Sequence, residues 1–202
     1  YPHADKMKFG ILLASSSSYS MSATFLSVLL QHTDILEGRK KATVVEAVKV
    51  IGEALKKIAT ESETTQLFYA VIDRRHMSMT FSCVGKIMGF IQSTDPAANE
   101  LLRVISSDRE GISKNSQTEY TSLDVDLKAG FRISLVSEGL LNVLDQDELV
   151  SVAEETAAGG VHELRNQIFI QAQMKSGIEQ PVKDQTVIVI EVKDNVVKLA
   201  KK

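Results

Sequence analysis

Apolar residues recur along this chain in two periods, and the period changes block by block. Lys8 to Ala14 is an apolar run with the length of a buried strand, and it enters the polar run Ser15 to Ser20. Met21 to Gln31 reads as a largely buried helix that Ser20 or a neighbouring serine caps. No Gly-rich pattern or lysine accompanies those serines, so a capping turn is expected rather than a phosphate loop. Thr33 to Lys41 is a polar connection containing Gly38. Val44, Val45, Val48, Ile51, Leu55 and Ile58 then recur at helical spacing between charged residues, which predicts an amphipathic helix with a solvated outer face.

The period then shortens to two. Leu67 to Ile72 and Met77 to Val84 read as strands joined at Asp73 to His76 as a hairpin, and Ile87 to Ile91 adds a third. Pro96 breaks this run. Ala97 to Ile105 is weakly helical, and Ser106 to Thr118 reads as a mobile loop. Tyr120 to Leu127 alternates as a half-buried strand with Asp124 and Asp126 facing solvent, and Lys128 to Gly130 turns the chain into the next strand. That strand, Phe131 to Val136, sets Phe131, Ile133 and Leu135 against Arg132 and Ser134, so one face is apolar. Gly139 directly after Glu138 is expected to end it through a backbone angle other residues avoid, leaving the carboxylate at the tip. Helices over Asp147 to Ala157 and Val161 to Met174 follow. Asp184 to Val192 is β-branched and reads as a central strand.

Composition narrows the function classes. With 202 residues, 44% of them hydrophobic, and three prolines, the chain suits one folded domain spanning 1–202, the C-terminal part of a longer signalling protein. A net charge of −3 with both signs interspersed leaves no basic footprint for nucleic acid or an anionic membrane. The lone Cys83 lies in a strand-like run, where a buried inert thiol is expected, and it fits a reducing, cytoplasmic compartment. No apolar run approaches the roughly 20 residues that span a bilayer, and no signal-peptide pattern opens the chain. His3, His32, His76 and His162 have no second ligand at metal spacing, and Arg74 with Arg75 could contact an anion or serve solubility. On local grounds Glu138 could be a metal ligand, a general base or a turn residue.

Strands and helices grouped in this way imply an α+β fold. Four segments, in order, resemble the PPM-type (protein phosphatase 2C-like) serine/threonine phosphatases of the bacterial sporulation stage II protein E and RsbU type. Phe9 to Leu30 resembles the apolar strand, Asp-Val-Ser-Gly-His-Gly turn and helix; Leu67 to Gly89 resembles the hairpin before an Ala-Gly-His-Pro-like segment. Lys128 to Asn142 resembles the strand ending in Thr-Asp-Gly-Leu-Thr-Glu, and Lys183 to Val192 the closing Asp-Asp-Ile-Thr strand. The resemblance implies a four-layer α-β-β-α sandwich. It also implies two Mn²⁺ or Mg²⁺ ions, held by acidic residues, that activate a water for attack on phosphoserine or phosphothreonine.

Carried over residue by residue, the resemblance puts metal-ligand positions at Glu138 and Asp184. The Asp of the first motif falls on Ser15 and the first Asp of the closing motif on Lys183, so two ligand positions are lost. Asp5 does not match the upstream Gly-Gly-Asp ligand. Two lost carboxylates and one gained ammonium move the local charge three units toward positive, which opposes divalent cations. A Glu138–Lys183 ion pair across the old metal site is the expectation. The chain therefore reads as a degenerate phosphatase domain with no cofactor and no catalytic residue. Its expected role is recognition of a regulatory protein, such as a phosphoprotein of the anti-sigma-antagonist kind. An active Mn²⁺- or Mg²⁺-dependent phosphatase with an altered ligand set stays open as the alternative, and a homodimer through the helix Val44 to Ile58 as a third reading.

Overall fold

The computed structural model describes residues 1–93, 102–177 and 183–193. It is a four-layer α-β-β-α sandwich whose two antiparallel sheets enclose the central core. One sheet orders β1 (Lys8–Ser16), β2 (Thr64–Asp73), β3 (Ser78–Val84) and β7 (Leu123–Asp126). The other orders β5 (Leu102–Ile105), β4 (Met88–Ser93), β8 (Phe131–Val136) and β9 (Val187–Glu191). Strand alternation explains the layering. Phe68, Ala70 and Ile72 of β2 and Ile133 and Leu135 of β8 point between the sheets, where Phe68 and Phe81 stack at 5.6 Å.

The opposite faces carry helices. α1 (Tyr19–Gln31) and α3 (Val44–Ile58) pack on Leu67, Tyr69 and Val84 of the first sheet. α5 (Gln146–Glu155) and α6 (Val161–Ser176) pack on Met88, Phe90 and Val136 of the second. α3 begins at a full capping box, Thr43 accepting from the Glu46 N–H while Glu46 accepts from the Thr43 N–H. Its apolar stripe of Val44, Val48, Ile51 and Leu55 is buried against this sheet and α1, so it is core and cannot face a partner. No described helix is long and apolar enough to cross a membrane.

Five expectations change. The polar connection after α1 contains a short helix, α2 (Thr33–Leu36), because Leu36 is fully buried and takes the chain with it. Within Ala97 to Ile105, residues 97–101 lie outside the described residues and 102–105 form strand β5 rather than helix, since pairing with β4 satisfies their backbone. Inside Ser106 to Thr118, β6 (Ile112–Ser113) pairs with the start of β2 and buries Ile112 completely. β9 is an edge strand of its sheet, half-exposed along its length, not a central one. α1 is buried on one face only, through Met21, Phe25, Val28 and Leu29, while Tyr19, Leu26 and Leu30 face solvent.

Candidate functional site

Register places the family-like segments at one end of the sandwich. The end of β1 lies beside the start of β2, with Ser15 opposite Gln66, and the start of β2 lies beside the end of β3, with Leu67 opposite Val84. In the other sheet Val136, at the end of β8, is opposite both Met88 and Val187. Only Gly85 to Ile87 separates β3 from β4, so the two sheet ends meet. Gln66 seals that junction: its Oε1 accepts the Lys86 N–H at 3.0 Å and fills the space where a side chain on Gly85 would sit. Gly85 also has φ +79°, which a residue with a Cβ rarely adopts. Lys86 then reaches across to Asn142 Oδ1 at 3.2 Å.

The serine run is committed to local structure. Ser18 is the N-cap of α1, its hydroxyl accepting from the Met21 N–H at 3.0 Å and donating to Glu63 at 2.8 Å. Glu63 also accepts from Thr60, and these bonds, that from the Thr60 backbone first, hold its carboxyl below the usual range. Ser17 accepts from the Thr64 N–H, and Ser16 shares a hydrogen bond with Thr65. The serines make a capping turn, as expected. Ser15 sits half-buried at the end of β1.

Glu138 opens the one-turn helix α4 (Glu138–Leu141) directly after β8. Its side chain is only 13% exposed, and Lys183 Nζ lies 2.9 Å from its Oε1, so the ion pair expected between them forms. Gly139 owes its identity to something other than a rare backbone angle. It is helical with ordinary φ, and a Cβ there would fall 2.2 Å from the Asp184 carbonyl oxygen. The segment carrying Lys183 and Asp184 therefore lies flat against α4. Ser137, itself buried, closes the junction: its hydroxyl donates to the Asp184 carbonyl at 3.2 Å and accepts the Thr186 N–H at 2.9 Å. Asp184 is exposed beside this pair.

Sequence reasoning passed over Ser137 and Lys86. Ser137 was legible only as the neighbour of Glu138, and the Gly85–Lys86 pair as a turn signal between two strands.

The remaining candidates lie elsewhere. Asp5 binds its own loop through the Met7 N–H and pairs with Arg75 at 3.8 Å, while Arg74 donates to the Lys6 carbonyl. His76 contacts Asp73 at 2.9 Å, and this bond first, with the Arg75 and His76 N–H groups, holds the Asp73 carboxyl well below its ordinary range. Asp124 accepts from Thr80 at the solvent-facing edge. Cys83 is buried, its thiol pushed up to about 12 by desolvation, which makes it unreactive.

A model of the stage II sporulation protein E (SpoIIE) family matches residues 12–193. The chain belongs to the SpoIIE family. Solved structures show the same PPM-type phosphatase fold. The serine/threonine phosphatase PstP of Mycobacterium tuberculosis matches with TM-score 0.66 at 14% identity, over 96% of this chain and 95% of that one. The phosphatase domain with a regulatory fragment of SpoIIE from Bacillus subtilis matches with TM-score 0.71 at 17% identity, over 92% of this chain and 55% of that one. The PstP catalytic domain in complex with two manganese ions matches with TM-score 0.63 at 15% identity, over 96% and 94%. No curated protein matches the chain significantly.

A binuclear centre of the kind the fold hosts needs several hard oxygen ligands around closely spaced cations. Among the described residues, this end of the SpoIIE-family domain offers Glu138 and Asp184 as the carboxylates at the positions the resemblance aligns with ligands. Ser15 is neutral, Glu138 already faces an ammonium, and among the described residues no three His, Cys, Asp or Glu side chains gather where they could hold a metal ion.

Proposed function

We propose that this SpoIIE-family chain is a pseudophosphatase: a PPM-type domain without a working binuclear centre that acts in bacterial signal transduction by recognising another protein. The partner class in this reading is a regulatory phosphoprotein of the anti-sigma-antagonist kind, bound rather than hydrolysed. One observation carries the reading. Lys183 Nζ stands 2.9 Å from Glu138, a positive charge beside the carboxylate that would otherwise face a divalent cation. An ammonium and a divalent cation compete for the same place, so Glu138 cannot serve both. Ser15, on β1 of the other sheet, has no charge to add.

The test titrates the chain with Mn²⁺ by calorimetry while release of phosphate from a phosphoserine peptide is followed. The wild-type chain is expected to show neither saturable heat nor turnover. Restoring both carboxylates, Ser15→Asp with Lys183→Asp, is expected to raise Mn²⁺ affinity by ~10-fold or more, the range by which charged oxygen ligands tune such sites. Tight Mn²⁺ binding by the wild-type chain, with turnover abolished by Glu138→Ala, would overturn the reading in favour of an active phosphatase.

A further inference from the structure

The start of β1, about 20 Å along the strand from Ser15, borders a cavity of about 400 Å³ that it shares with the connection from α2 to α3. His3, Lys8, Lys40 and Lys41 line it from separate stretches of chain. Among the described lining residues the one carboxylate belongs to Glu46, so three ammonium groups face a single negative charge. A chain of net charge −3 thus gathers a local excess of two positive charges here.

The acidic groups nearby are already engaged. Glu46 closes the capping box of α3 with Thr43. Asp73 faces Lys8 at 3.4 Å and His76 at 2.9 Å, while Arg39 holds Glu37 at 2.8 Å and Asp34 at 4.0 Å. Lys40 and Lys41 stay exposed at the rim, and among the described residues no hydrogen bond or ion pair occupies either ammonium. His3 Nδ1 accepts the Asp5 N–H at 3.0 Å, which puts the proton of the neutral ring on Nε2. Gly38 makes room for that ring in the cavity wall: its φ is +67°, and a Cβ there would fall 2.1 Å from His3 Nε2.

Neighbouring ammonium groups repel one another unless an anion comes between them, and lysine binds phosphate as a point charge. We infer that this cavity binds a small polyanion carrying two linked phosphate groups. Its volume falls in the ~300–1,000 Å³ range of small-ligand sites, which leaves room for more than one phosphate. The His3 imidazole is the only aromatic ring among the described lining residues, so recognition rests on charge rather than on a stacked base. The site lies at the opposite end of β1 from Ser15, and the inference is independent of whether the phosphatase centre works.

Calorimetric titration with pyrophosphate, in EDTA at fixed ionic strength, tests it, the chelator removing metal-bridged binding at the Glu138 end. Saturable binding is expected, ~10-fold or more tighter than that of orthophosphate, because a second charged group is engaged. Lys40→Gln with Lys41→Gln is expected to weaken it by more than ~10-fold. Both side chains are exposed, so the circular-dichroism melt of that variant is expected to match wild type. Lys57→Gln with Lys114→Gln removes the same charge from exposed positions away from the cavity, and is expected to bind as wild type does. Without any substitution, pyrophosphate is expected to protect Lys40 and Lys41, but not Lys57, from acetylation read by mass spectrometry. ADP separates the sources: affinity equal to that of pyrophosphate assigns a nucleotide's phosphates, and weaker affinity a free diphosphate, either upholding the site. No saturable heat, an affinity untouched by Lys40→Gln with Lys41→Gln, or an equal loss in Lys57→Gln with Lys114→Gln would each overturn the inference.

Discussion

Strand β8 has a charge within it and another just past its end, and the fold handles the two in opposite ways. Arg132, near the start, is 1% exposed and is the largest fully buried side chain described. Among the described residues no carboxylate hydrogen-bonds to it. Its guanidinium donates to the Thr156 carbonyl at 3.1 Å, to the Gly159 carbonyl, and weakly to Gln92 at 3.5 Å, while Gln92 donates to the Ala153 carbonyl. Thr156 is the C-cap of α5, so the cation sits where that helix presents unpaired carbonyls and the negative end of its dipole. Glu138, past the other end, faces one ammonium on a half-exposed lysine and keeps part of its own side chain exposed. Buried charge here ties a helix to a sheet; part-exposed charge forms an ion pair that can be exchanged with little structural consequence.

That contrast can be broken by experiment. Arg132→Met keeps the volume but strands the carbonyls at the end of α5, and is expected to lower stability by about 3 kcal/mol in urea unfolding. A loss below ~1 kcal/mol would mean that the guanidinium does not hold α5 to the sheet. Gly139→Ala is expected to lose about 2 kcal/mol, because the added carbon meets the Asp184 backbone rather than a side chain that could swing away. Its recovery in a variant with the 183–184 segment displaced would locate the strain there. Glu138→Gln is expected to change stability by under ~1 kcal/mol, in keeping with a part-exposed ion pair. If Glu138→Gln were as damaging as Arg132→Met, the two ends would not differ in kind and the comparison would fail.

Particular residues show why some of this was readable in the chain and some was not. The alternation of Phe131, Ile133 and Leu135 correctly predicted a strand with an apolar face. It left the face carrying Arg132 and Ser134 unassigned, and both are buried. Alternation reports that two faces differ, and it does not reveal that a second layer of helices covers the other one. For the same reason Met21 to Gln31 reads as a largely buried helix: a run of apolar residues on a helix looks alike whether its outer face meets core or water. The helices α3, α5 and α6 and the hairpin at Asp73 to His76 were legible because each has its own period, cap or turn chemistry. β5 and β6 were not, because strands of four and two residues exist through pairing with β4 and β2.

The sequence by itself determined the order of the longer elements, the resemblance of four segments to a PPM-type phosphatase, and the residues Ser15, Glu138, Lys183 and Asp184 at the positions that resemblance aligns with metal ligands, from which the Glu138–Lys183 pair was expected. Those are properties of local pattern and residue type, and they travel with the chain. Only the tertiary structure decided that Gly139 is small because a backbone crosses it, that Arg132 is buried, and that α1 leaves an uncharged face in water. Each depends on which distant segments the two sheets bring within a few ångströms of one another. No period along the chain encodes that distance.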